Sequence, residues 1–231
     1  DQRMTAFITA IRERGSLLSE VDRTYSFIHL TFQEYLCAFY LAENFRSLKE
    51  IMDHLLTNNR IADTWWYETV VLLIAYLGKR NSVLALQVIR ELTEISNTPA
   101  RRLTATTVAA NGLTELEQDH PSTYSQVRTR LSSILFDPLL EIPARIRAQA
   151  GVELMHLGDE RPGIGAYSLP LIGSKSEQMS LPDIRFCFVP GGLFTMGSGK
   201  DAHINESLCH SFWISLYPIT CAQFDCFLRS K

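Results

Sequence analysis

The chain has 231 residues, of which 46% are hydrophobic and 20% are charged, and its formal net charge is −3. This composition is typical of an ordinary globular protein with a core of its own. The near-neutral balance argues against a dedicated nucleic-acid-binding protein, which usually carries a basic patch or has a high pI. No apolar run reaches the roughly 18 residues of a membrane-spanning helix. We therefore expect neither a nucleic-acid partner nor a membrane partner.

Cysteine usage indicates the compartment. The five cysteines, at positions 37, 187, 209, 221 and 226, are too few and too scattered for a disulfide scaffold. Reduced thiols in a cytoplasmic protein are the simpler interpretation. The first 15 residues contain no apolar segment of a signal peptide. Because the chain starts on Asp1 and stops within a helical pattern, we expect both ends to be cuts through a longer protein.

The first well-defined elements are a short strand, Tyr25 to Ile28, and the helix that follows it. Thr31 and Glu34 have the spacing of a capping box, in which two side chains bond reciprocally to backbone N–H groups. The apolar face of the helix would consist of Phe32, Tyr35, Leu36, Phe39 and Tyr40. His29 lies just before the helix N-terminus, where free N–H groups favour anions. Its position alone is compatible with two roles: a core histidine whose ring is hydrogen-bonded within the protein, or a histidine that contacts phosphate.

Residues 45–160 show apolar residues at helical spacing almost throughout. Ser47 and Glu50 predict a capping box. The segment from Trp65 to Leu77 is apolar on nearly every side and should end at Gly78 as the central buried helix, with Trp65, Trp66 and Leu72 in the core. Further helices are predicted after Asn81 or Ser82, after Thr98-Pro99, over 127–135 and from Pro143 to Gly158. Successive amphipathic helices with short links predict stacked helix pairs, an α-solenoid.

The end of this region has a more particular pattern. Small residues at Ala148, Ala150 and Gly151 would let a neighbouring helix approach closely, and residues 142–165 resemble a HEAT-like repeat. The sequence LGDERPG within it resembles the short segment that often precedes the kind of C-terminal domain considered below. Glycine and proline then become frequent, so residues 161–180 are predicted to be a linker.

The helical pattern ends before residues 181–231, which show short strand-like segments instead. Two short strands around Pro190-Gly191-Gly192 predict a hairpin. The stretch GGLFTMGSGK lacks the glycine and the hydroxyl residue of a phosphate loop, because Phe194 and Asp201 occupy those positions. Its glycines are therefore expected to form turns.

The last part of the chain is predicted to contain a strand and a helix, and it also contains scattered residues of the types that bind metals. SFWI, residues 211–214, predicts a buried strand, and Thr220 with Gln223 predicts a capping box for the final helix. The residue types of His203, Cys209, His210, Cys221 and Cys226 suit zinc or copper. Their spacing matches no closed motif, so we assign no metal site and expect free thiols packed as small hydrophobic groups.

The order VPGGLFTMGS followed by FWISLYPITCAQFDCFL, over 189–198 and 212–228, resembles the opening of the formylglycine-generating-enzyme (sulfatase-modifying-factor) family. The resemblance implies a C-type-lectin-like fold, of which residues 181–231 would form the truncated N-terminal part. The redox cysteines and the metal site of that family lie in its later part. No catalytic residue is therefore assigned in this chain.

The stretch YSFIHLTFQEYLCAFYLAENF resembles the winged-helix end of a NACHT-type NTPase module. The matching residues are Phe27, His29, Thr31, Phe32, Gln33, Glu34, Tyr35, Ala38 and Tyr40. The resemblance implies that residues 1–44 end such a module and that His29 contacts the β-phosphate of ADP in the intact protein. ATP or ADP with Mg²⁺ would be bound mainly by upstream elements, so we expect no cofactor in this chain alone.

Together the two resemblances imply a mainly α chain: a winged-helix remnant at 1–44, a HEAT-like α-solenoid at 45–160, a linker at 161–180 and a truncated α+β segment at 181–231. This order resembles bacterial STAND-type signal-transduction NTPases, which respond to a trigger by self-oligomerisation or by binding protein partners. One alternative is a metal-dependent oxidase of the formylglycine-generating type whose catalytic half is missing. Another is a purely structural helical scaffold. In each case this chain alone is expected not to be catalytic.

Overall fold

The structure is a computed structural model that describes residues 6, 9, 18–21, 24–117, 120–170, 178–205 and 210–229. Two compact units divide the chain, residues 1–158 and residues 159–231. In the first unit β1 (Leu18–Val21) pairs antiparallel with β2 (Thr24–Phe27). Most of residues 1–24, predicted as the rest of a winged helix, lie outside the described residues.

After β2, helices and the short segments that connect them make up the described first unit. In chain order they are α1 (Leu30–Asn44), α2 (Leu48–Leu56), α3 (Tyr67–Arg80), α4 (Ser82–Glu94), α5 (Pro99–Thr114), α6 (Pro121–Leu135) and α7 (Ala144–His156). Short 3₁₀ turns, Thr57–Ala62 and Thr64–Trp66, connect α2 to α3. This confirms the predicted mainly α class.

Three helix starts lie where local side-chain chemistry predicts them. Glu50 Oε2 accepts from the Ser47 N–H at 3.1 Å while Ser47 Oγ accepts from the Glu50 N–H at 3.3 Å, which completes the capping box of α2. Asn81 Oδ1 accepts from the Leu84 N–H at 3.1 Å at the start of α4. Thr98 is the N-cap residue of α5.

The helix α3 differs from its prediction. Gly78 lies inside it and does not end it. Trp65, predicted in the core, is 66% exposed. The reason is the 3₁₀ turn before the helix, which Asp63 caps by accepting from the Trp65 N–H at 3.0 Å. Trp66 and Leu72 are partly buried and pack against the core.

The helix α5, and not α3, lies at the centre of the core. It packs against α3, α4, α6 and α7, and it is buried over most of its length. Many of its buried residues are small or carry a hydroxyl. Thr106 and Thr107 donate to the carbonyls of Arg102 and Leu103 at 2.9 and 2.6 Å, so their hydroxyls are satisfied within the helix. Small side chains allow several helices to approach α5 closely.

Gly112 is a site of close approach between α5 and α3. A Cβ there would lie 2.6 Å from Ile74 Cδ1 and 3.1 Å from Ile74 Cβ, and a β-branched side chain in a helix has little rotamer freedom. We expect Gly112→Ala to lower the free energy of unfolding by about 1–2 kcal/mol, because overpacking outweighs the gain from removing a helical glycine. Urea titration followed by circular dichroism measures this change.

Gly151 in α7 is the matched control for that substitution. A Cβ there would meet nothing within 4 Å. Gly151→Ala should therefore raise the free energy of unfolding by about 0.5–1 kcal/mol. Changes of the same sign in the two variants would contradict the proposed close approach at Gly112.

The second unit consists of short antiparallel strand pairs and one helix. In chain order its elements are β3 (Ala166–Pro170), β4 (Gln178–Pro182), β5 (Phe186–Val189), β6 (Phe194–Met196), a 3₁₀ turn (Gly199–Asp201), β7 (His203–Asn205), β8 (Phe212–Ser215) and α8 (Cys221–Arg229). β3 pairs with β4, β5 with β8, and β6 with β7. The predicted hairpin around 190–192 is therefore wrong, because β5 and β6 each pair with a later strand.

The range 161–180, predicted as a linker, contains β3 and the first residues of β4. The helix α8 packs against both strands. Thr220 Oγ1 donates to the Ile164 carbonyl at 2.7 Å, which attaches the segment before β3 to the start of α8. The described part of this range thus belongs to the folded second unit, and residues 171–177 lie outside the described residues.

Apolar side chains of the second unit are widely exposed. The strand predicted from SFWI is present as β8, but Trp213 is 64% exposed, so the prediction of burial was wrong. The other exposed large apolar residues include Phe186, Phe188, Leu193, Phe194, Met196, Ile204, Phe212, Ile214, Phe224, Phe227 and Leu228. Two-stranded sheets alone are at best marginally stable in water. An exposed apolar surface of this extent is typical of a surface that another structure covers.

Candidate functional site

His29, the predicted phosphate contact, occupies the N-cap position of α1. Its backbone is extended, with φ −120° and ψ 129°. Its carbonyl accepts from the Phe32 N–H at 3.2 Å, and its exposed ring lies 6.0 Å from the Phe32 ring. The imidazole makes no capping hydrogen bond. An exposed imidazole therefore lies beside the N–H groups of a helix N-terminus, where anions are favoured.

The capping box predicted from Thr31 and Glu34 is absent. Because α1 begins at Leu30, Thr31 lies inside the first turn and cannot serve as the N-cap residue. Glu34 is 8% exposed and shares the buried side of α1 with Ala38 and Leu41. The helix that packs against α1 is α3, so Glu34 is a buried carboxylate near that contact.

The face of α1 predicted to be apolar is exposed in the described structure. We call it the aromatic face of α1; its residues are Phe32, Tyr35, Leu36, Phe39 and Tyr40. At its margin the Phe39 ring meets the Tyr76 ring of α3 edge-on, with centroids 5.5 Å apart. A contiguous exposed apolar surface of this kind is typical of an interaction site.

The set of histidines and cysteines in the second unit does not converge where it is described. Among the described residues, no group of three or more His, Cys, Asp and Glu side chains could hold a metal ion. Cys209 lies outside those residues. Cys226 is buried, with its Sγ 3.2 Å from Ser180 Oγ and 3.3 Å from the Ala222 carbonyl oxygen. This thiol packs as a small, weakly polar group, as predicted, whereas Cys221 is exposed, so the prediction is wrong for it.

The last two glycines of GGLFTMGSGK lie in a turn, as predicted, whereas Gly191 and Gly192 lie in an irregular segment before β6. Gly197 and Gly199 have φ values of +88° and +59°, which favour glycine. A Cβ at Gly197 would lie 2.6 Å from the Asp201 carbonyl oxygen. The chain therefore reverses tightly between β6 and β7.

A polar network joins α3, α5 and α7 inside the first unit. The Tyr67 hydroxyl donates to Glu153 Oε1 at 3.1 Å, and Asn111 Nδ2 donates to the Tyr67 oxygen at 3.1 Å. Gln149 Nε2 also donates to Glu153 Oε1 at 3.1 Å, and His156 Nδ1 lies 3.4 Å from Glu153 Oε2. Glu153 is only 3% exposed. A carboxylate is thus held inside the helical unit mainly by uncharged donors.

The charges around this network are predominantly negative. Burial, together with the nearby Glu153 carboxylate, raises the pKa of Tyr67 to about 12, so its hydroxyl remains a donor at neutral pH. Partial burial raises the pKa of Glu68, and the carboxylates of Glu34, Glu153 and Glu115 raise it further. These neighbouring negative charges disfavour the ionised form of Glu68.

A cleft of about 470 Å³ opens beside the network. Tyr67 and Gln149 line it and also hydrogen-bond to Glu153, which connects the wall of the cleft to the buried carboxylate. The charged residues in its lining are Asp63, Glu68 and Arg145. Its volume falls within the range of small-molecule sites, about 300–1,000 Å³.

Sequence reasoning missed this cleft for a physical reason. Tyr67 and Glu153 are 86 positions apart, and Tyr67 and Asn111 are 44 apart, so no local motif contains them. One signal was present: Glu153 lies three residues after Ala150 and four before Leu157, on the apolar side of α7. A carboxylate in an apolar stripe indicates a buried polar partner.

Comparison with protein-family models, with curated proteins and with solved structures finds no match for this chain. Of the helices in the described ranges, none combines the length and apolar content of a membrane span. The function must therefore be argued from the residues and their geometry.

Proposed function

We propose that this chain is part of a NACHT-type signal-transduction NTPase of the STAND class. In this proposal residues 1–44 end the nucleotide-switch module and residues 45–160 form a HEAT-like scaffold that responds to a trigger. The observation that carries it is the position of His29, whose exposed imidazole lies at the N-terminus of α1. A histidine in that position can donate a hydrogen bond to a phosphate oxygen of bound ADP.

The aromatic face of α1 supports the proposal. It lies on the same helix as His29 and is exposed along its length. A nucleotide-binding module packed against this face would bury these rings and place its bound nucleotide beside the helix N-terminus. Release of the module would expose the rings again, and a protein partner or a second copy of the protein could then bind there.

The packing of the helical unit is compatible with a HEAT-like array. Every strongly packed pair of helices in the described first unit consists of chain neighbours, such as α3 and α4, or of next neighbours, such as α5 and α7. This pattern of contacts is the one that stacked helix pairs produce. Such arrays present extended surfaces, which suits a scaffold that binds a trigger.

The second candidate is an oxidase of the formylglycine-generating type, of which residues 181–231 would supply the first part. The observation that favours it is the exposed apolar surface of the second unit, which a larger C-type-lectin-like domain would cover. We assign no catalytic residue in this chain under either proposal. Under both of them, catalysis would require elements that this chain does not supply.

The His29→Ala substitution tests the switch in the longer NTPase that the proposal requires. One hydrogen bond to a charged group contributes roughly 1.5–3 kcal/mol, so we expect ADP affinity to fall about tenfold to a hundredfold. Basal oligomerisation should rise because the ADP-bound resting state is destabilised. Isothermal titration calorimetry with ADP and size-exclusion chromatography measure the two effects.

His203→Ala provides the matched control, because His203 is an exposed histidine in the second unit. It should leave ADP affinity and oligomerisation unchanged. If His29→Ala lowers only the melting temperature and leaves ADP affinity as in the wild type, His29 is a structural residue and the phosphate contact is wrong.

A further inference from the structure

We propose that the cleft beside Tyr67 binds a small organic cation, with an ammonium or guanidinium group on an apolar stem. The proposal does not depend on the nucleotide switch, because the groups it uses lie within the helical unit. It is therefore testable on the 231-residue chain itself.

The shape of the cleft suits an apolar stem. Ile61, Pro143 and Ile146 contribute apolar surface to its wall. The hydroxyl groups of Thr104 and Thr107, which also line it, donate to the carbonyls of residues 100 and 103 at 3.0 and 2.6 Å. Since those hydroxyl protons are already used, this part of the wall presents mainly methyl and methylene surface to a ligand.

The charge of the cleft suits a cationic head group. Two carboxylates, those of Asp63 and Glu68, line it, whereas Arg145 is the single cation in its lining. A third carboxylate, that of Glu153, accepts a hydrogen bond from the Tyr67 hydroxyl. Within the described ranges, no lysine or arginine forms an ion pair with Glu68 or Glu153. The resulting negative potential attracts a cation and repels an anion.

Two further features favour a cation. The raised pKa of Glu68 reflects partial burial and the nearby carboxylates of Glu34, Glu153 and Glu115, and a bound ammonium group would offset their repulsion. Tyr67 is part of the lining, and an aromatic ring attracts a cation placed over its face.

The experiment compares three six-carbon probes by isothermal titration calorimetry: hexylamine, 1-hexanol and hexanoate. We expect hexylamine to bind at least about tenfold more tightly than 1-hexanol, because only the amine gains from the carboxylates. Hexanoate should bind more weakly than either. Glu68→Gln should weaken hexylamine binding about fivefold, and Arg145→Gln should strengthen it, because the first removes an attractive charge and the second a repulsive one.

Glu91→Gln is the matched control, since Glu91 is exposed on α4 and does not line the cleft. It should leave hexylamine binding unchanged. Glu68 and Arg145 are both exposed, so neither variant should alter the melting temperature by more than the control does. Equal binding of hexylamine and 1-hexanol, no measurable binding of hexylamine, or shifts of the same sign in the Glu68 and Arg145 variants would each overturn the proposal.

Discussion

Gln223→Ala should unfold the second unit, because one buried side chain connects three of its segments. Gln223 is 3% exposed. Its Nε2 donates to the Gly163 carbonyl at 3.0 Å and to the Asp183 carbonyl, and its Oε1 accepts from the Thr220 N–H at 3.0 Å. Truncation leaves these buried groups without hydrogen-bond partners, and each unpaired group destabilises the fold by roughly 1–3 kcal/mol. We expect the free energy of unfolding of this unit to fall by about 3–5 kcal/mol. Short two-stranded sheets are too weakly stable to remain folded after such a loss.

Limited proteolysis of the 231-residue chain measures this loss. In Gln223→Ala, cleavage within 159–231 should become fast while the helical unit survives as a fragment of about residues 1–158. Asp225→Ala is the matched control on the same helix, because it removes only an exposed ion pair with Arg229, worth about 0–1 kcal/mol. A Gln223→Ala digest as slow as that of Asp225→Ala would show that Gln223 does not hold the second unit together.

The capping boxes illustrate what the sequence predicts well. The boxes of Ser47 with Glu50 and of Thr220 with Gln223 form as expected, because both partners lie within one helical turn. The box of Thr31 with Glu34 does not form, because α1 begins at Leu30, before Thr31. The additional bonds from Gln223 to Gly163 and Asp183 were not predictable. They join residues 60 and 40 positions away, and their formation depends on how β3 and β4 pack against α8.

Burial was harder to predict than helix position. Hydrophobic periodicity identified an aromatic stripe on α1, but Ala38 and Leu41 face the core instead. A small residue such as Ala38 permits the close approach of α3 that bulky rings would prevent. The same holds for α5, whose alanines and threonines have little hydropathy but are buried. Periodicity shows which side of a helix is apolar and does not show which side another helix covers.

The prediction of which strands pair was wrong for a related reason. Pro190-Gly191-Gly192 has the composition of a hairpin turn, yet Phe188 of β5 lies opposite Trp213 of β8. The two rings pack with centroids 5.2 Å apart, and cross-strand aromatic pairs stabilise a sheet. That contact spans 25 residues and carries no local signal, so a turn-based prediction joined the wrong strands.

Glu153→Met should lower the free energy of unfolding of the helical unit by about 2–4 kcal/mol, because it leaves buried donors unpaired. Tyr67 and Gln149 both donate to Glu153 Oε1. Tyr67→Phe removes one donor and keeps the ring, so we expect a loss of about 1–2 kcal/mol. The double variant should lose less than the sum, since neither member of the pair then remains unpaired. Strict additivity in urea titrations would show that the Tyr67–Glu153 bond contributes nothing.

The pH dependence of stability provides a separate measurement on Tyr67. In the unfolded chain its phenol ionises near its ordinary pKa of about 10, whereas in the folded unit its pKa is about 12. The unfolded state therefore releases a proton first, and the contribution of Tyr67 is complete below pH 10 and is lost as pH rises towards about 12. Tyr67→Phe cannot ionise, so the stability advantage of the wild type over this variant should shrink across that window. An advantage that stays constant between pH 9 and pH 12 would mean that the folded protein does not hold this hydroxyl in its neutral form.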